Sequence, residues 1–212
     1  MKNNRQVNQF GFTLLELMIV VAIVIIVAAI SIPAARQVIA SQQLNSSAYG
    51  VASMLENARL SAVKTNQPYY AMYNSGACVN VACAVPATGS PNPPDGSNYT
   101  FTDPTVTTSG SVGFQNILTV ANPPDHSQLD NYLGGANIEA PNVPIGFNAR
   151  GLPCVANGSP FVCQQQDPAG GIAAFEWFMQ SSMTKGWVAV TVTPAGRIRI
   201  WHLTTPGGTT WQ

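Results

Sequence analysis

Few residues in this 212-residue chain are placed to do chemistry, and the most prominent is a solitary carboxylate. Glu16 follows Phe12 by four positions, and between Phe12 and Ile32 the only other polar side chains are Thr13 and Ser31. A bare carboxylate in hydrocarbon costs on the order of 2.5–3.5 kcal/mol, less near the end of a span, so Glu16 requires a partner. Gly11 marks the junction between a short polar leader, with Lys2 and Arg5 and no acid, and the apolar run. Cleavage between Gly11 and Phe12 would give Phe12 a free α-amino group one helical turn from Glu16.

A second group lies near the other end, in Gly196-Arg197-Ile198-Arg199-Ile200-Trp201. The period of two in a strand puts Arg197, Arg199 and Trp201 on one face and Ile198 and Ile200 on the other. Two guanidinium groups and an indole on an exposed face would contact phosphates and stack a base. Charge is segregated in the same sense. From Trp177 to Gln212 there are three basic residues, Lys185, Arg197 and Arg199, and no acid, whereas Tyr69 to Ala149 holds five acids and no base. The structural alternative is an ordinary polar face of a terminal strand, with Gly196 turning the Pro194-Ala195-Gly196 hairpin.

The remaining reactive residues are Cys78, Cys83, Cys154 and Cys163. Beyond a membrane they are expected to form local disulfides, Cys78 with Cys83 and Cys154 with Cys163, although four cysteines permit three connectivities. Loops this short stabilise by roughly 2–3 kcal/mol each in the chain-entropy view. A metal site is not expected, because there is no Cys-x-x-Cys and the only histidines are His126 and His202. Asp95, Asp103, Asp125 and Asp130 lack the spacing of a calcium loop and read as turn caps. No Gly-x-Ser-x-Gly, His-Glu-x-x-His or phosphate-binding glycine loop is present, so neither a catalytic residue nor a cofactor is expected.

The elements that must position these residues follow from pattern. Phe12 to Ile32 is 21 apolar-dominated residues, about 31 Å as a helix, close to the roughly 30 Å of a bilayer core. Lys2 and Arg5 keep residues 1–11 cytoplasmic and put the rest of the chain outside. Pro33 predicts a kink or a loosened turn. The helical period continues from residue 33 to 67 through Leu44, Ala48, Val51, Ala52, Leu55, Ala58 and Ala62, until Asn66-Gln67-Pro68 ends it. The whole helix would be roughly 80 Å long. Residues 68–212 then read as a β-rich head, with strands expected at 69–74, 112–120, 144–147, 161–164, 172–179, 187–193 and 197–203. They imply a largely antiparallel sheet laid on the helix. Residues 84–130 are read as long Pro-rich loops, with Asn-Pro-Pro-Asp at 92–95 and again at 122–125 as turn chemistry. The expected class is α+β.

Charged residues make up only 8% of the chain, as befits a turn-rich secreted protein. Loss of Lys2 and Arg5 leaves seven basic and nine acidic side chains, a balance that predicts no nucleic-acid binding from net charge. An ordinary signal peptide cut after Ala29-Ile30-Ser31 would have too long an apolar core, and a carboxylate within it. A plain anchor would leave Glu16 unexplained.

Gly11, Phe12, Thr13, Leu14, Leu15, Glu16 and Leu17, followed by the apolar run and Pro33, resemble type IV prepilin-like proteins. The resemblance implies cleavage after Gly11 by a prepilin peptidase, methylation of the new N-terminus, and pairing of Glu16 with the N-terminal amine of a neighbouring subunit. Its partners would be other pilins or pseudopilins, an inner-membrane assembly platform, and membrane lipid before assembly. The protein would pass once through the bacterial inner membrane with its head in the periplasm, then reach the pilus surface. Within the head, Ala58-Arg59-Leu60-Ser61-Ala62, Ile145-Gly146-Phe147 with Gly151 and Pro153, and Gly196-Arg197 resemble the GspH/FimT family of minor pilins and pseudopilins. That resemblance implies a non-enzymatic minor pilin, or alternatively a minor pseudopilin of type II secretion. The Gly-Arg-x-Arg pattern resembles the one associated with DNA capture in FimT-type pilins of competent bacteria.

Overall fold

The computed structural model describes residues 13–73, 81–86, 106–107, 112–115, 120, 122–134, 145–157, 162–164, 173–205 and 207–212. The chain divides into two compact units, Met1–Ile39 and Ala40–Gln212.

Helix α1, Leu14–Thr65, contributes to both units, and Pro33 lies inside it without ending it. In the first unit every described residue from 13 to 39 is exposed on the single chain, Leu14, Ile19 and Val24 among them. These residues are apolar around the whole circumference, so no single face can be sunk into a core. In the second unit the helix buries Ala40, Leu44, Ser47, Ala48, Val51, Met54, Leu55, Ala58 and Ala62, spaced at threes and fours. Four of these are alanines, so backbone can approach the sheets closely. The helix ends as expected: Asn66 takes a left-handed φ of 53° and the Gln67 N–H donates to the Ala62 carbonyl at 3.2 Å.

The strands are β1 Tyr69–Tyr73, β2 Val81–Pro86, β3 Val106–Thr107, β4 Val112–Gln115, β5 Ile145–Phe147, β6 Pro153–Asn157, β7 Val162–Gln164, β8 Phe175–Ser181, β9 Trp187–Val192 and β10 Ile198–His202. A short helix α2, Ser127–Leu133, lies between β4 and β5. The strands form two antiparallel sheets rather than the one expected, with orders β3-β2-β1-β5-β6-β7 and β10-β9-β8-β4. The fold is therefore α+β, with the Ala40–Thr65 part of α1 packed on a two-sheet head. The seven expected strands are present with shifted ends, while β2, β3, β6 and α2 were not anticipated. Strand β6 opens with Pro153, a residue tolerated at the first position of a strand. Helix α2 offers only Leu129 and Leu133 as buried periodic positions.

Both sheets feed one core under α1. Leu44, Val51, Met54 and Leu55 meet Ile145 and Phe147 from the first sheet and Phe175, Trp177, Val188 and Val190 from the second. A second cluster, Leu129, Phe178, Trp187, Ala189, Trp201 and Trp211, occupies the other face of the four-stranded sheet. That sheet is thus covered on both faces, which is why all six residues of β9 are buried.

Candidate functional site

At the start of α1 the Thr13 hydroxyl accepts the Glu16 N–H at 3.2 Å, and the Thr13 carbonyl accepts the Leu17 N–H at 3.2 Å. Thr13 is therefore the N-cap and Glu16 stands three residues in, the Thr-x-x-Glu spacing of a capping box. Its carboxylate also lies where the helix dipole favours negative charge. This structural role was readable in the sequence, and it accompanies any pairing with an amine. Gly11 and Phe12, between which cleavage is expected, lie outside the described residues.

The basic strand differs from its expected form at Trp201, Arg197 and Lys185. Arg197 and Arg199 are exposed, but Trp201 is only 5% exposed, and its indole N–H donates to the buried Thr191 hydroxyl at 2.9 Å. The face that carries Arg199 and Trp201 is the one closed by α2, so the indole serves as core and is not open for base stacking. It supports Arg199 instead. The Arg199 guanidinium carbon sits 3.9 Å from the centre of a Trp201 ring and 5.6 Å from that of Tyr132, whose ring meets Trp201 edge-on. Arg197 precedes β10, in the hairpin where the Thr193 N–H donates to the Arg197 carbonyl at 2.9 Å. Lys185 belongs to the opposite hairpin, with a positive φ of 55°. The six-residue β9 separates them by roughly 20 Å at about 3.3 Å per residue, so Lys185 does not join the arginines.

Three short sequence motifs converge on one joint. The Arg59 Nε–H donates to the Gly151 carbonyl at 3.1 Å, tying α1 to the β5–β6 turn. Gly196, with φ of 77°, packs so tightly that a Cβ would lie 2.5 Å from that same carbonyl oxygen and 3.2 Å from Arg59 Nε. In β5, a Cβ on Gly146 would lie 2.5 Å from Cys154 Sγ and 2.6 Å from Tyr70 Cε1. Cys154 forms a disulfide with Cys163, with a Cα–Cα distance of 5.2 Å. Cys78 and the side chain of Cys83 lie outside the described residues.

Residues 7–32 match the family described as the prokaryotic N-terminal methylation motif. The chain therefore has a prepilin-type N-terminus, of the kind found in type IV pilin-like and pseudopilin-like structural subunits, and the helix that begins within the matched segment is long and apolar enough to cross a membrane. No curated protein and no solved structure matches it.

Proposed function

We propose that the protein is a minor type IV pilin, cut between Gly11 and Phe12, built into a pilus through its apolar helix, and able to contact DNA through Arg197 and Arg199. The observation that carries the assembly part is the methylation motif over residues 7–32, which includes the start of a helix whose residues 14–39 are all exposed on the single chain. Such a surface is stable only in lipid or among other apolar helices. In a bundle of subunits, Glu16 would neutralise the amine of Phe12 from a neighbour, which removes the cost of both charges at once. A type II pseudopilus would use the same N-terminal features, so labelling of the head on intact cells separates the two settings.

The DNA part rests on Arg199. A guanidinium held over an indole keeps its plane fixed while its N–H edge points along that plane, which suits it to phosphate oxygens. The test is duplex DNA binding by the mature chain in detergent across a salt series. Contact with about two phosphates predicts a log–log salt slope of roughly −2, lost in Arg197→Ala/Arg199→Ala. Absence of binding at low salt, or binding that survives the double substitution, removes the DNA contact. Glu16→Ala tests assembly separately: processing is expected to continue while incorporation into pili falls, and normal incorporation would exclude the proposed pairing.

A further inference from the structure

The cap of α2 is a histidine that does not cap. His126 stands at the N-cap position with no side-chain hydrogen bond to the helix backbone, a role that Ser, Thr, Asp or Asn would fill. Its ring turns toward carboxylates instead. The His126 Nδ1 lies 3.2 Å from Asp130 Oδ2, 3.3 Å from Asp130 Oδ1 and 3.7 Å from Glu176 Oε2. One donor atom from each residue can be chosen so that all three lie within 4.8 Å of one another. Two of them come from α2 and its cap, and the third comes from β8, 46 residues further along the chain.

Glu176 is 2% exposed, on the face of β8 that also carries Phe178 and that α2 covers. A carboxylate at that depth is costly unless its charge is balanced. Within the cluster two carboxylates face one imidazole, a donor set whose charge a divalent cation with a neutral imidazole would balance.

The donor set, one imidazole nitrogen with two carboxylates, favours a small transition-metal ion. Bonds of about 2.0–2.1 Å at tetrahedral angles place donor atoms about 3.3–3.4 Å apart; the spacings from His126 are 3.2 and 3.7 Å and the whole set lies within 4.8 Å, so the two carboxylates would close in around a bound ion. Calcium takes six to eight oxygens at longer range and has little use for an imidazole. One nitrogen and two oxygens are a donor set that zinc accepts, with a water completing the tetrahedron.

We infer that His126, Asp130 and Glu176 bind one divalent transition-metal ion of the zinc class, which clamps α2 to β8. The clamp would also hold Tyr132, the α2 ring that packs on Trp201 beside Arg199. The site does not depend on the DNA reading, because its ligands exclude both arginines.

The test uses the full chain in detergent, stripped with chelator and equilibrated with Zn²⁺, with bound metal counted by elemental analysis. The expected result is one ion per chain, with affinity reduced at least about tenfold in Asp130→Asn and in His126→Gln. Circular dichroism identifies any variant that fails to fold. A second measurement then uses only the unmodified protein: Co²⁺ should give the visible absorption of a tetrahedral nitrogen–oxygen site, and Zn²⁺ should displace it. Failure of the stripped protein to take up micromolar Zn²⁺ overturns the assignment. So does uptake unchanged in both folded variants, or a Co²⁺ spectrum showing only the octahedral aquo ion.

Discussion

The two stretches of α1 obey opposite rules although they belong to one helix. From 14 to 39 every side chain is exposed on the single chain, and all but Glu16, Ser31, Arg36 and Gln37 are apolar. From 40 to 65 apolar and small residues form a stripe, buried against two sheets. The first stretch presents apolar surface in every direction. The second turns one face to the sheets and leaves Asn, Gln, Lys and Glu to solvent. Helical stability comes mainly from packing, and the two stretches present surfaces that need different partners.

That contrast can be broken by substitution. Leu55→Ala, in the buried stripe, is expected to cost about 2–5 kcal/mol, whereas Val24→Ala should leave the denaturation midpoint of the head unchanged. Parallel denaturant titrations of both variants decide it, and a midpoint shift in Val24→Ala would show that the two stretches are energetically coupled. A smaller loss is expected for Gly196→Ala, about 2–4 kcal/mol. A left-handed backbone costs roughly 1–2 kcal/mol outside glycine, and the added Cβ must also displace the Gly151 carbonyl that Arg59 holds. Loss of α1 contacts would follow, readable as faster hydrogen exchange at the C-terminal end of the helix.

The smallest effect is electrostatic and confined to the head. Burial holds the His202 imidazole below its ordinary value of 6.5, because the charged form is poorly solvated there. Above about pH 6.5 both folded and unfolded chains are neutral at this site, and it contributes no pH dependence. As pH falls below that value the unfolded chain takes up a proton that the folded chain resists, so stability declines until the folded-state value is passed. His202→Gln should remove that part of the acid sensitivity in melting curves taken between pH 7.5 and 5. The neighbouring pairing of His202 with Gln212 should loosen over the same interval in the unaltered protein.

Much of the architecture was legible in the residues. The apolar run, the stripe from Leu44 to Ala62, the stop at Asn66-Gln67-Pro68 and seven strand positions all follow from local period and turn chemistry. The Cys154–Cys163 bridge follows from proximity in sequence, since its partners are nine residues apart. The second Asn-Pro-Pro-Asp also behaves as turn chemistry: Asn122 has a φ of 58° and the Asp125 carboxylate accepts the Ser127 N–H at 3.0 Å. By contrast, the two-residue β3 and the seven-residue α2 are too short for periodicity to register. They depend on neighbours that are distant in sequence.

The prepilin-type start, the placement of Glu16 within an apolar helix, and the continuation of that helix are each encoded by residues within a few turns of one another, so they can be read without the fold. Long-range packing, by contrast, split the described strands into two sheets and placed Trp201 inside as the support of Arg199. It also brought Arg59, Gly151 and Gly196 together at one joint, and set Glu176 beside His126 and Asp130. The reason is the cover on the second face of the four-stranded sheet. Strand alternation states which residues share a face, but whether that face meets water or an α2 helix is fixed by a segment about seventy residues earlier than Trp201.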